Sequence, residues 1–109
     1  MSFHLTSSDL RVESHDGRSY LVGRATRADG SHNDVRLDLD GILGNDNGHF
    51  QWDGENFTGS ARNVSFSIEG GGAVPVLRAE LQNAEGHFQG ADVNLSERVE
   101  NVNGDLVFQ

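Results

Sequence analysis

The sequence LDGILGNDNG at residues 39–48 occurs a second time, in altered form, as LSERVENVNG at residues 95–104. Both stretches end in Asn-x-Asn-Gly, and in both the residues that follow alternate between polar and apolar. Such alternation is typical of a β-strand, and Asn-Gly is a preferred two-residue hairpin turn because both residues accept a positive φ. The repeated stretch therefore predicts a β-hairpin that the chain forms twice.

The repetition extends over most of the chain. Residues 25–52 align with residues 81–108 at one constant spacing, and the alignment continues upstream after an adjustment of two residues. There the matched pairs are Phe3 with Phe57, Leu10 with Val64, and Val12 with Phe66. Every matched apolar residue keeps the same face of the same strand, which chance would not preserve. These matches define two tandem sequence repeats, residues 1–54 and 55–109.

A repeat of this size is too small to bury a core alone without a disulfide or a metal. We therefore predict one all-β domain over residues 1–109, in which the two repeats pack about a pseudo-twofold axis. No stretch shows helical periodicity over three turns, so only short single-turn helices are expected, with caps at Asp40 and Ser96. In the first repeat, alternation predicts strands around residues 9–13, 21–26, 34–39 and 49–52.

The composition limits the possible partners. The chain has 109 residues with 17 acidic and 8 basic side chains, a formal net charge of −9 and no cysteine. Nucleic acid and anionic membrane surfaces would be repelled, so neither is expected as a partner. The missing cysteines exclude disulfides, thiolate metal sites and a cysteine nucleophile. The five histidines show no ligand spacing, so no metal or other cofactor is expected.

The first residues, MSFHLTSSD, contain neither a basic segment nor an apolar run. We therefore expect no signal peptide. A chain of this length that folds without disulfides also fits a reducing compartment. The predicted location is the cytoplasm.

The two Asn-x-Asn-Gly elements occur together with Phe50-Gln51-Trp52, Asn56-Phe57 and Leu106-Val107-Phe108. In this combination the chain resembles the cyanovirin-N homology family over essentially its whole length, in the cysteine-free, fungal-type form. The resemblance implies a mannose-binding lectin with two pseudosymmetric halves, each made by exchange between the repeats. It also implies one groove in each half for the α1,2-linked mannose ends of high-mannose glycans. No enzymatic activity is expected.

The resemblance assigns residues to each groove. In the groove made by the termini, the matching positions are Ser2, Leu5, Thr6, Thr26, Ala28, Asn101, Val102 and Asn103. In the groove made by the middle of the chain, they are Gly44, Asn45, Asn47, Glu55, Asn56, Ser60 and Asn83, with Gly59, Ala84 and Gly86 beside them. Asn, Thr and Ser match the hydroxyls of a sugar, which donate and accept hydrogen bonds. Several charged residues of the family pattern are missing, which predicts weak binding, mainly through one groove.

Simpler interpretations compete at these positions. Asn47 and Asn103 precede glycine, so the hairpin turn by itself accounts for them. Asn45 and Asn101 are not explained in that way, although a side chain capping the preceding turn would explain them. Trp52 occupies the apolar face of its strand and is expected in the core rather than as a platform for a sugar.

A catalytic interpretation rests only on Asp38 and Asp40, two residues apart. A glycosidase needs two carboxylates across a cleft, one of them with a raised pKa. Because the repeat partners of this pair are Asn94 and Ser96, we expect a solvated acidic edge instead. The alternative to a lectin is a structural or protein-interaction domain of the same fold that has lost sugar binding. The chain is expected to be a monomer, because Gly54 stands where the founding family member has a hinge proline.

Overall fold

The computed structural model describes residues 3–72 and 74–109, in which ten strands form four antiparallel units. Three strands form the first sheet, in the order β1 (Ser7–His15), β2 (Arg18–Thr26) and β3 (His32–Asp38). A hairpin of β4 (Leu43–Asp46) and β5 (His49–Trp52) follows. The second sheet contains β6 (Ala61–Glu69), β7 (Val74–Gln82) and β8 (Phe88–Asn94). A second hairpin of β9 (Val99–Val102) and β10 (Asp105–Phe108) ends the chain.

The two sheets have the same pairing pattern. In each, the first strand has a bulge, between Ser8 and Arg11 in β1 and between Arg62 and Ser65 in β6. The connection between the first two strands differs, since β1 and β2 are joined by two residues and β6 and β7 by the longer segment after Glu69. The two-residue adjustment in the sequence alignment therefore lies in this connection.

Each hairpin packs on the sheet of the other repeat. The β9–β10 hairpin lies against β3 and against a 3-10 turn at Phe3–Thr6. The β4–β5 hairpin lies against β8 and against a 3-10 turn at Phe57–Ser60. We call β1–β3 with the β9–β10 hairpin the terminal half, and β6–β8 with the β4–β5 hairpin the middle half.

The core contains matched residues of both repeats. Its fully buried members include the pairs Phe3 with Phe57, Leu21 with Leu77, Leu39 with Leu95, and Leu43 with Val99. Trp52 is partly buried and packs against this core, where its ring stacks on Phe108 with the centroids 5.8 Å apart. The interior is therefore made by both repeats, as the small size of each one requires.

The predicted all-β fold with single-turn helices is confirmed, because the helical segments of the described residues are short 3-10 turns. The predicted caps were wrong by two residues. The turns at Leu39–Gly41 and Leu95–Glu97 are capped by Asp38 and Asn94, whose side chains accept from the backbone N–H groups of Asp40 and Ser96. Leu39 consequently belongs to a turn and not to a strand. Within residues 3–72 and 74–109, no helix is long and apolar enough to cross a membrane.

Candidate functional site

The two Asn-Gly pairs form the turns of the two hairpins, as predicted. Asn47 has φ 49° and Gly48 has φ 88°, while Asn103 has φ 48° and Gly104 has φ 92°. Two central residues with positive φ are typical of a type I′ turn, which matches the twist of the strands it joins. The turns place the preceding residues of β4 and β9 opposite the sheet of the other repeat.

Asn101 joins three parts of the terminal half through its side chain. Its Nδ2 donates to Thr6 Oγ1 at 2.9 Å and to the carbonyl of Thr26 at 3.1 Å. Its Oδ1 accepts from the backbone N–H of Gly104 at 2.8 Å. The β9–β10 hairpin is therefore fixed to the turn that precedes β1 and to the end of β2.

Asn45 forms the same bonds in the middle half. Its Nδ2 donates to Ser60 Oγ at 2.8 Å and to the carbonyl of Gln82 at 2.8 Å. Its Oδ1 accepts from Gly48 N at 2.8 Å. The cap is therefore on the turn that follows each asparagine, and the alternative of a cap on the preceding turn does not explain these residues. An amide has two N–H donors, so these bonds occupy both donors of Asn45 and leave acceptor capacity only on Oδ1.

The turn asparagines form a second pair of braces. Asn103 Oδ1 accepts from Ala28 N at 2.9 Å, and Asn47 Oδ1 accepts from Ala84 N at 2.8 Å. Both side chains are exposed, and neither Nδ2 donates to another described residue. The Nδ2 groups of Asn47 and Asn103 therefore remain available to a ligand, unlike that of Asn45.

The remaining predicted residues of the terminal groove surround the Asn101 bonds, apart from Ser2, which lies outside the described residues. Leu5 and Val102 directly adjoin the bonded pair Thr6 and Asn101 in sequence, and they are 68% and 48% exposed. Thr26 Oγ1 lies 3.3 Å from His32 Nδ1. The terminal groove thus combines hydroxyl and amide groups with two exposed apolar side chains.

The middle groove has a different surface. Glu55 and Asn56 are exposed, and Asn56 adopts a left-handed φ of 63° without a side-chain cap. Asn83 braces its own turn, because its Oδ1 accepts from Glu85 N and His87 N, both at 3.0 Å. The equivalents of Leu5 and Val102 are Gly59 and Asp46, so this groove has no matching apolar pair.

Gly44 is buried and packs against the segment that joins the repeats. A Cβ built on it would lie 3.0 Å from Glu55 N and 3.1 Å from Gly54 Cα. The glycine permits the close approach of two backbone segments, and its contact with a sugar stays a prediction.

The sequence did not predict the buried carboxylate of Asp40, which is only 1% exposed. It accepts from Ser19 N at 2.6 Å, from Thr58 N at 2.9 Å and from Thr58 Oγ1 at 2.7 Å. The expectation of a solvated acidic edge was therefore wrong for Asp40. Only a long-range contact explains its burial, so no local signal would have found it.

Asp38 is half-exposed and forms an ion pair with Arg18, with Nη2 to Oδ2 at 2.6 Å. This hydrogen bond raises the pKa of the Arg18 guanidinium above its usual range. Asp38 also accepts from Asp40 N, so neither carboxylate faces an open cleft with a free partner. Among residues 3–72 and 74–109, no three His, Asp or Glu side chains come together in a way that would hold a metal ion.

Two more residues of the hairpin contacts were also missed. Asn33 Nδ2 donates to the carbonyl of Gly104 at 2.8 Å, and Gln89 Nε2 donates to that of Gly48 at 3.1 Å. Asn33 and Gln89 occupy equivalent positions in β3 and β8, so the repeat alignment contained a signal for them. Each turn is therefore bonded to the other repeat through both its asparagine and its glycine.

Comparison with known proteins gives one consistent result. Residues 3–107 match the CVNH domain family. The chain is 50% identical to a cyanovirin-N homolog from Neurospora crassa over 107 residues, which cover 97% of this chain and 96% of that protein. The solved structure of the N. crassa CVNH protein has a TM-score of 0.89 with this chain, at 48% identity and with 100% and 99% of the two chains covered.

Two other solved structures are similar in fold. A designed cyanovirin-N homolog lectin has a TM-score of 0.88 at 45% identity, with all of both chains covered. Microvirin, solved as a complex with mannobiose, has a TM-score of 0.82 and covers 99% of this chain and 98% of its own. At 20% identity, the microvirin comparison supports the fold alone.

Proposed function

This chain belongs to the family of CVNH domains, and we propose that it is a non-enzymatic lectin that binds the α1,2-linked mannose ends of high-mannose glycans. The CVNH fold is a carbohydrate-binding lectin fold, and the designed relative at 45% identity is itself a lectin. Hydroxyl, amide and backbone groups meet at the end of each hairpin in the pattern that sugar hydroxyls require.

We propose that the terminal groove is the dominant site. The observation that carries this choice is the exposed pair Leu5 and Val102, which adjoin in sequence Thr6 and Asn101, the two residues that bond to each other. A pyranose ring has polar edges and C–H faces, so a groove that offers both apolar and polar groups buries more of it. The middle groove offers Gly59 and Asp46 at the same positions.

Binding is expected to be weak. Both donors of Asn101 are already occupied within the protein, and the terminal groove has no carboxylate among its predicted residues. A hydrogen bond to a charged group contributes about 1.5–3 kcal/mol, so each missing one lowers affinity by roughly one to two decades. Potent multivalent capture of glycoproteins needs both grooves and is therefore not expected.

A protein-interaction domain without sugar binding remains the second candidate. The observation that favours it is the use of Asn45 and Asn101 as braces, which explains both residues without any ligand. In that case neither groove binds a sugar, and the geometry shared by the two halves serves only the fold.

An NMR titration with α1,2-mannobiose separates the two candidates. We expect shifts at the backbone amides of Thr6, Ala28 and Val102, and smaller ones or none at Asn45 and Ala84. Absence of shifts at millimolar sugar supports the interaction domain. Asn101→Ala is a poor test, because it removes the brace together with any contact to the sugar.

A pair of exchanged residues gives the matched control. Val102→Asp places the residue of the middle groove in the terminal groove, and Asp46→Val does the reverse, both at exposed positions. We expect Val102→Asp to abolish the mannobiose shifts and Asp46→Val to leave the terminal shifts unchanged. The opposite pattern assigns binding to the middle groove.

We also propose that the protein is a monomer. The segment between the repeats turns back at Asp53, which has φ 65°, and at Asn56. Gly54 permits the close approach of this segment to β4, because a Cβ there would lie 2.8 Å from Gly44 Cα. Asp and Asn tolerate the left-handed region better than other non-glycine residues, so the fold-back carries little strain and gives little reason to exchange halves with a second copy. Sedimentation at micromolar protein is expected to show a monomer, and a stable dimer would contradict the proposal.

A further inference from the structure

A cleft of about 550 Å3 lies on the first sheet, outside both predicted grooves. It forms where the bulge of β1 displaces Asp9, which has a left-handed φ of 55°, from its neighbours. Asp9 and Arg11 of β1 line it, together with Val22 and Arg24 of β2 and Asp34 of β3. Its volume falls within the range of about 300–1,000 Å3 that is usual for small-molecule sites.

The cleft contains polar groups that the protein does not use. Arg24 donates through Nε to Asp34 Oδ1 at 3.1 Å, and its two Nη groups donate to no other described residue. Arg11 donates to the backbone carbonyl of Asp9, while the Asp9 carboxylate accepts from no described residue. An open guanidinium edge and an open carboxylate therefore border the same cleft.

The equivalent region of the second sheet is closed by its own side chains. The bulge residue there is Asn63, which donates to Glu80, and Arg62 donates to the same carboxylate at 3.1 Å. The Arg62 guanidinium also lies over the Phe88 ring, 4.1 Å from its centroid. The unused groups around Asp9 are therefore a property of the first sheet and not of the bulge itself.

The cleft adjoins the terminal groove. Arg24 and Thr26 are two residues apart on β2, so their side chains point to the same face of the sheet about 7 Å apart. The carbonyl of Thr26 accepts from Asn101, the residue that holds the terminal groove together. A distance of this order corresponds to about one further sugar unit along an oligosaccharide.

We infer that the cleft is an extension subsite, which takes the next neutral hexose units of an oligosaccharide whose end lies in the terminal groove. This inference rests on the proposed function. Sugar hydroxyls both donate and accept, so one sugar unit satisfies the Asp9 carboxylate and the Arg24 guanidinium together. Val22, which is 9% exposed, offers an apolar floor for a C–H face.

The charge around the cleft selects a neutral ligand. The lining has two carboxylates, of Asp9 and Asp34, and two guanidiniums, of Arg11 and Arg24, so its formal charges balance. Just outside it, Glu13 pairs with Arg11, and Arg36 lies opposite Val22. An acidic sugar would gain no net attraction from this lining and would be repelled by a chain whose net charge is −9. Hydrogen bonds to Arg11 and His15 keep the pKa of Glu13 below its usual range, so this carboxylate stays charged near neutral pH.

The test compares α1,2-mannobiose with α1,2-mannotetraose on the intact protein by NMR titration. We expect the tetraose to bind about tenfold more tightly, since it adds hydrogen bonds to charged groups. Its additional shifts are expected at Asp9, Arg24 and Asp34. Arg24→Gln and Asp9→Gly are expected to remove this gain while leaving the affinity for mannobiose unchanged. Glycine at position 9 keeps the positive φ that the bulge requires.

Arg62→Gln is the matched control, because Arg62 is as exposed as Arg24 and also pairs with a carboxylate, on the other sheet. It is expected to keep the full gain of the tetraose. Equal affinities of the two sugars for the unaltered protein would overturn the subsite, as would a gain that survives both cleft variants. If mannobiose itself gives no shifts, the proposed function fails instead, so the two failures are distinct.

Discussion

The repeats meet at two junctions, the first around Asp40 and the second around the equivalent Ser96. Their backbone positions correspond, but their side chains differ. At the first junction, the buried Asp40 carboxylate accepts from Ser19 and Thr58. At the second junction, the positions of Ser19 and Thr58 are taken by Pro75, which is fully buried, and by His4, which is 8% exposed. Neither ring nitrogen of His4 has a hydrogen-bond partner among the described residues. Both junctions are thus buried, but a buried carboxylate links the two repeats only at the first.

The largest effect is expected at Asp40. Replacing Asp40 by Ala leaves the buried donors of Ser19 and Thr58 without an acceptor, which costs about 1–3 kcal/mol for each unsatisfied group. We expect Asp40→Ala to lower the free energy of unfolding by about 3 kcal/mol or more, measured by urea denaturation with the fluorescence of the single tryptophan. Ser96→Ala, at the equivalent position, is expected to cost about 1 kcal/mol or less. Equal losses at both junctions would contradict the difference between them.

The braces of the hairpins are expected to behave alike in the two halves. Asn45→Ala and Asn101→Ala each remove bonds to a hydroxyl, to a strand carbonyl and to a turn N–H. We expect each to cost about 2 kcal/mol in the same urea assay, because several part-buried groups lose their partner together. Double replacement should give the sum of the two losses, since the sites are separate. A single loss confined to one half would show that the braces are not equivalent.

Smaller effects are expected at His4 and Thr58, where the two replacements change the free energy of unfolding in opposite directions. His4→Leu removes buried ring nitrogens without partners, and we expect it to raise the free energy of unfolding by about 1 kcal/mol. Thr58→Val keeps the shape but removes the hydroxyl bond to Asp40, and a loss of about 1–2 kcal/mol is expected. A loss on His4→Leu would mean that the ring has a role in packing that leucine cannot supply.

The smallest effect concerns the glutamates of the two sheets. The pKa of Glu13 is lowered first by the hydrogen bond from Arg11, and that of Glu80 first by the hydrogen bond from Asn63. Because the folded pKa lies below the usual value of 4.5, each group contributes stability above that pH, and this stability is lost as the pH falls through the folded pKa. Salt screens an exposed ion pair more than a bond from a neutral amide. The largest cause is the ion pair with Arg11 at Glu13 and the amide of Asn63 at Glu80, which Arg62 affects less. Carboxyl NMR titrations with and without 1 M salt are expected to show the larger rise in pKa at Glu13.

The sequence by itself determined the features that repeat at short range. The Asn-Gly pairs accept the positive φ that a type I′ turn requires, and the alternation of Leu10, Val12 and their equivalents predicted which strand faces lie inward. The correspondence between the two copies predicted the shared core, because neither repeat has enough apolar surface to fold alone. The resemblance to the family predicted, in addition, that the repeats exchange their hairpins.

Only the tertiary structure decided which polar groups are free for a ligand. Asn45 and Asn47 look alike in sequence, but contacts with Ser60 and Gln82 occupy the donors of Asn45 and leave Nδ2 of Asn47 open. Asp38 and Asp40 are also alike in their local sequence. Only Asp40 is buried, and it is bonded there to Thr58 of the other repeat. A hydrogen-bond partner distant in the chain has no signature in the local pattern, because such a pattern records propensity and periodicity but not which segments meet.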